Sequence, residues 1–166
     1  MSQRHLETPE DLLQFQLRTA MTMEQDSLAA LEELAGAARS NDVKKLFKHH
    51  MQETKEQISN LEKVFGILEL KESTAPSPST KGISRQAHSL IERAADELHD
   101  QVVLSAALGN EHYEISAYEC LILPVRTMGV NDAASLLTAN LEQEQHTSEE
   151  LKQMLEKIVS KRLAMA

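Results

Sequence analysis

At 166 residues the chain is one domain's worth and long enough to bury a substantial core. Three Phe, two Tyr, no Trp, five Gly and four Pro leave a sequence rich in Leu, Ala, Glu, Gln, Lys and Met, strong helix formers that point to an all-α fold. A net charge of -9 argues against nucleic acid or an anionic membrane surface as a partner, the single Cys120 excludes an internal disulfide framework, and no apolar run approaches the ~20 residues of a bilayer span.

Residues 1–7 lack the hydrophobic region of a secretory signal, so cytoplasmic residence is the default expectation. Thr8-Pro9-Glu10-Asp11 reads as a helix start, with Thr8 as N-cap, Pro9 at the first helical position and acids in the first turn. The first helix then runs to about Arg39, with Leu13, Leu17, Ala20, Glu24, Leu28, Leu31 and Ala35 on one stripe. Ser40-Asn41-Asp42 caps a second helix lasting to about Leu70, whose stripe is Val43, Leu46, His50, Glu53, Gln57, Leu61, Val64 and Leu68. So short a turn makes these helices antiparallel neighbours.

Residues 71–83 form the one low-complexity stretch, Ser- and Pro-rich, and read as an extended connection. Ser84 is placed to cap a short helix over 85–96. A third long helix follows from about Glu97 to Met128, stopped by Gly129, with Leu104, Ala107, Glu111, Glu114, Tyr118, Leu121, Val125 and Met128 on its stripe. Pro124 removes a backbone donor there and predicts a kink. Asn131 caps the last helix, whose stripe is Ala134, Leu137, Leu141, Glu144, Ser148, Leu151, Leu155 and Ile158. The expected architecture is a single domain over 1–166: a four-helix bundle with one long crossover carrying a short extra helix.

Each long stripe carries an acid at mid-length: Glu24, Glu53, the pair Glu111 and Glu114, and Glu144. Glu24 lies 16 residues before Ser40 and Glu53 lies 13 after it, an axial offset of ~5 Å. Glu114 lies 16 before Val130 and Glu144 lies 14 after it, an offset of ~3 Å. Taken singly, a Glu on an apolar stripe is usually a boundary residue whose tip reaches solvent. Four helices doing so at one height is a different matter. The stripes contain no Lys or Arg at mid-helix, so buried carboxylates there call for a cation. His50, one turn before Glu53, is either a nitrogen ligand or a core histidine bonded to a carboxylate. Gln57 is placed to hold a ligand carboxylate, and Tyr118 either bonds a ligand or is a structural tyrosine.

Bundles that bind two metals with Glu from two helices and Glu-x-x-His from two others define the ferritin-like superfamily, which this pattern resembles. More specifically, His50-Met51-Gln52-Glu53-Thr54 and Glu111-His112-Tyr113-Glu114-Ile115-Ser116-Ala117-Tyr118 resemble the YciF/YciE-like family, a former domain of unknown function described as ferritin-like, metal-binding and stress-associated. The likeness runs over nearly the whole chain and includes the crossover helix. Departures are specific: Glu56 and Thr147 stand three residues after Glu53 and Glu144, where ferritin-type histidines would be, and Ser148 replaces an acid of shorter relatives.

The resemblance implies a stress-related dinuclear metal protein that reacts with oxygen or peroxide. Two ions are expected, iron first and manganese second, as suits oxygen ligands. Glu53 and Glu144 are the expected bridges, Glu24, Glu111 and Glu114 the terminal ligands, His50 a nitrogen donor, and Gln57 and Tyr118 the outer support. A homodimer is expected by analogy, without a storage shell. The competing reading is a non-catalytic bundle that acts as an interaction or adaptor protein, with a degenerate metal site or none.

Overall fold

A computed structural model describes residues 5–164. The reading of residues 1–7 as free of a secretory signal therefore falls partly outside the described residues. Five α-helices, one 3-10 turn and no strand occur among the described residues. They are α1 (Pro9–Ala37), α2 (Asn41–Ile67), α3 (Pro78–Arg93), α4 (His99–Thr127) and α5 (Asn131–Leu163), with the 3-10 turn at Asp96–Leu98.

Local chemistry accounts for most of the ends. Thr8 Oγ1 accepts the Asp11 N–H at 3.0 Å while the Asp11 carboxylate accepts the Thr8 N–H at 3.1 Å, a reciprocal capping box. Removing the hydroxyl in Thr8→Ala is expected to cost about 1 kcal/mol in chemical denaturation. Ser40 Oγ accepts the Val43 N–H at 3.3 Å and starts α2. Gly129, at φ 75°, closes α4 in the left-handed conformation that glycine tolerates best. Helix α4 continues through Pro124 to Thr127, so Cys120 O loses its intrahelical donor there.

Two caps differ from expectation. Helix α3 begins at Pro78, not after Ser84, because Pro is well suited to a first helical turn and Ser77 takes the N-cap position. The connection without helix is correspondingly shorter. Val130, not Asn131, is the N-cap of α5; Asn131 is the first helical residue, and no side chain caps that end.

Helices α1 and α2 pack as one hairpin and α4 and α5 as the other, with α1 beside α4 and α2 beside α5. The crossover climbs along α1: Ala75 N–H donates to Arg18 O at 3.0 Å, Thr80 Oγ1 to Asp26 Oδ2 at 2.7 Å, and His88 Nδ1 sits 2.7 Å from Glu33 Oε1. At the far end the Asp100 carboxylate accepts the Arg39 N–H at 2.7 Å, tying the start of α4 to the α1–α2 turn. The connection thus spans the bundle length, as the expected fold requires.

The central buried stripe of α1 is Leu13, Leu17, Ala20, Glu24, Ser27, Leu31 and Leu34, with Met21 and Met23 buried at its flanks; that of α2 is Val43, Phe47, His50, Thr54, Gln57, Leu61 and Val64, with Phe65 buried at its flank. Both advance in strictly alternating steps of three and four, the 3.5-residue repeat of nearly parallel helix packing. Two apolar clusters result. One, around Leu17, Leu61, Leu121 and Leu137, fills one end; the other, around Leu31, Phe47, Leu104 and Leu151, fills the opposite end. A layer of polar side chains lies between them.

Candidate metal centre

The dividing layer is built where the stripe of each long helix turns polar: Glu24 on α1, His50 and Gln57 on α2, Glu111, Glu114 and Tyr118 on α4, and Glu144 on α5. Glu24 (0 % exposed), Glu111, Glu114 and Glu144 are buried, as are His50, Gln57 and Tyr118. Among the described residues, no Lys or Arg is buried. Two groups of ligand atoms form, Glu24 with Glu114 and Glu144, and His50 with Glu111 and Glu144, the atoms of each group lying within 4.8 Å of one another. Glu144 belongs to both.

Hydrogen bonding leaves this layer largely unsatisfied. His50 Nε2 is 3.4 Å from Glu111 Oε1 and 3.9 Å from Glu144 Oε2, yet neither ring nitrogen has a hydrogen-bond partner. Both oxygens of Glu114 and of Glu144 and one each of Glu24 and Glu111 are likewise buried without good hydrogen-bond geometry. Burial pushes the Glu24, Glu111 and Glu114 carboxyls well above the ordinary carboxylate range, and the charge of Glu144 adds to each shift. Ser27 and Asn110 beside Glu114 work against its shift. An unpaired buried carboxylate is among the costliest groups a fold can hold, and this layer holds several.

Tyr118 is the one well-anchored neighbour. Its hydroxyl donates to Glu24 Oε1 and accepts from Asn140 Nδ2 at 2.9 Å, while Asn140 Oδ1 accepts from Asn60 at 2.8 Å. Burial, then the nearby Glu24 charge, pushes the Tyr118 phenol well upward, so it is held protonated as a donor. Gln57 is buried, but its side-chain amide bonds nothing; its backbone carbonyl accepts from Asn140 at 3.1 Å.

Glu53 is the sequence candidate that the geometry sets apart. Its side chain is 13 % exposed, accepts from Thr147 Oγ1 at 3.2 Å and lies 3.6 Å from the exposed His49 Nε2. It belongs to neither group of convergent ligand atoms. The alternating repeat of α2 explains this: His50 is followed on the buried face by Thr54, one position past Glu53. The same one-residue displacement on α5 puts Asn140 and Thr147 inward in place of Leu141 and Ser148. Ser148 instead donates to its own helix at Gln145 O, 2.8 Å.

Ser27, Asn110, Asn140 and Thr147 were not identifiable from hydropathy, since a polar residue on a buried face looks like a surface one. The three-four alternation around Leu137, Glu144 and Leu151 was the available signal for Asn140 and Thr147.

The family model for a domain of unknown function, DUF892, matches residues 8–164. The chain belongs to the DUF892 family. Protein YciF of Escherichia coli K12 is 30 % identical over 145 residues, covering 86 % of this chain and 87 % of that one. The crystal structure of the E. coli stress protein YciF superposes with a TM-score of 0.88 at 29 % identity, over 93 % of this chain and 99 % of the other. YcfI of Rhodopseudomonas palustris, described as a candidate structural protein, gives a TM-score of 0.86 at 31 % identity, over 92 % and 98 %. This DUF892 chain therefore shares the overall fold of these relatives over more than nine-tenths of its length.

The Tyr118 contact offers a direct check on the layer. In Tyr118→Phe, Glu24 Oε1 and the Asn140 amide lose their shared partner. A stability loss of about 1–3 kcal/mol is expected by denaturant titration, the cost of stranding buried polar groups.

Proposed function

We propose that the chain is a ferritin-like dinuclear metal protein in which Glu144 bridges two ions, with Glu24 and Glu114 on one side and His50 and Glu111 on the other. The observation that carries this reading is the set of buried, unpartnered ligand atoms with Glu144 common to both groups. Charge supports it as well. The four buried glutamates bring four negative charges when ionised, and two divalent cations would neutralise them in a layer with no buried Lys or Arg.

A donor set of carboxylate oxygens with one imidazole suits iron or manganese, iron being the first choice. Such ions, when bound, supply electron transfer and Lewis acidity toward dioxygen or peroxide. The polypeptide's share is to fix the ligand positions, to keep bulk water out with the apolar clusters at either end, and to hold a proton on Tyr118 against Glu24. Glu53 is proposed as a rim carboxylate rather than a second bridge, since Thr147 and the exposed His49 engage it. Gln57 and Tyr118 complete the outer support, Tyr118 through Glu24. A role in stress follows by analogy with the E. coli stress protein YciF, and a cytoplasmic homodimer is proposed only from the general analogy with ferritin-like bundles.

The second reading is a non-catalytic structural or adaptor bundle. The description of the R. palustris relative favours it, as do Glu56 and Thr147 at the positions of the ferritin-type histidines.

Metal content of protein purified without chelator separates the two readings. About two equivalents of iron or manganese are expected, falling to about one in Glu24→Ala and about one in His50→Ala, because each ion has three protein ligands and one is shared. Metal-free protein that takes up no ferrous or manganous ion would leave the structural reading standing. Peroxide consumption by the iron-loaded protein then tests for turnover.

A further inference from the structure

Helix α3 lies across α1 and α4 at the outside of the bundle: Thr80 and Ala87 are its only buried residues among those described. Beneath it, between α1 and α4, lies a cavity of about 20 Å³, room for one water-sized molecule and too small for an organic substrate. Small side chains from three helices shape it: Ala30 from α1, Ala87 from α3, and Ala106 and Ala107 from α4. Its inner wall reaches Glu111, which is 1 % exposed and whose Oε2 lacks a hydrogen-bond partner.

Outward, the cavity shares Asp26, Ala30, Thr80 and Ser84 with an open surface hollow of about 310 Å³. The Thr80–Asp26 hydrogen bond of 2.7 Å stands at that shared wall. Two adjoining spaces therefore mark a route from solvent toward the carboxylate layer, parted from each other by these four shared side chains and one side-chain hydrogen bond.

We propose that this route admits dioxygen to the Glu111 side of the polar layer, with α3 as its cover. The chemistry of the walls selects the visitor. Alanine methyls cannot replace the hydration shell of a cation, and on the outer hollow Lys81 and Arg85 offset the charge of Asp26. A small neutral molecule needing no hydrogen bonds fits a narrow apolar void. What dioxygen meets at the inner end rests on the dinuclear reading; its passage does not.

The test uses dissolved dioxygen itself as a paramagnetic probe of the full chain without added metal. Under oxygen pressure, the methyl signals of Ala30, Ala87, Ala106 and Ala107 are expected to relax several-fold faster than that of Ala133, which is buried in the opposite apolar cluster. Filling the void in Ala87→Leu should abolish the excess. Ala30→Leu, which fills it from α1, guards against a variant in which α3 simply lifts away. Equal relaxation at all five methyls in the parent protein would overturn the proposal.

In ferrous-loaded protein, both fillings should slow oxidation by dioxygen several-fold at unchanged ferrous stoichiometry. An unaltered rate would also overturn it. A parent protein that binds no ferrous ion would count against the dinuclear reading alone, and the methyl relaxation would still decide the route.

Discussion

Glu144→Gln is expected to abolish the binding of both ions and, at the same time, to make the metal-free protein more stable. Glu144 is the one residue common to both ligand groups, and its charge is the largest electrostatic contribution to the upward shifts of Glu24, Glu111 and Glu114. Glutamine keeps the volume and removes the charge. Relief of like-charge repulsion in a buried layer should stabilise by about 1–4 kcal/mol at neutral pH, the range seen when buried charge is replaced by neutral groups. Metal affinity should fall by more than the ~10–100-fold typical of losing an outer-sphere support. Denaturant titration and metal analysis of one preparation check both halves. A variant less stable than its parent, with two ions still bound, would contradict the assignment of Glu144 as bridge. The opposed signs distinguish a functional carboxylate from a packing residue, since replacement of a residue that only packs lowers stability with or without metal.

The second large effect is the pH dependence of stability and its reversal by metal. Glu24, Glu111 and Glu114 have folded-state pKa values raised above those of the unfolded chain, burial being the main cause. Their contribution favours folding fully below the unfolded carboxylate pKa and is lost as pH rises through the folded values. Metal-free protein should therefore weaken from about pH 4.5 upward, by at most ~1.4 kcal/mol per pH unit for each such group. This slope is opposite to that of a fold held together by ion-paired carboxylates.

Bound cations require the same carboxylates deprotonated, so metal stabilisation should grow over the same pH range. At a free ion concentration of 100 Kd each site adds about 2.7 kcal/mol. For a chain of this size that raises Tm by roughly 5–11 °C per ion. Thermal melts with chelator and with ferrous or manganous ion, at several pH values, measure both slopes. Parallel curves with no metal increment would sink the dinuclear reading.

Much of this molecule is legible in one dimension. The capping box at Thr8 and Asp11, the Ser40 cap and the Gly129 stop depend on a few neighbouring residues, and local hydrogen bonding decides them. The acids at matching heights follow from helix rise and short turns, which need no knowledge of packing. Glu24, Glu111, Glu114 and Glu144 share one layer for that reason, and His50 joins them one turn along its own stripe.

Rotation about each helix axis was not legible. Hydropathy prefers Leu28 and Leu141 over Ser27 and Asn140 only while the partner helices are ignored. Packing four helices nearly parallel imposes a 3.5-residue repeat, and that repeat turns Ser27, Thr54, Asn140 and Thr147 inward. The same small rotation carries Glu53 to the rim and leaves Glu144 between the two ligand groups. Pattern and count along the chain determined that carboxylates would gather at mid-bundle. Only tertiary packing decided which of them would be cut off from water, because burial depends on a side chain's angle to its neighbours and one residue step turns that angle by about 100°.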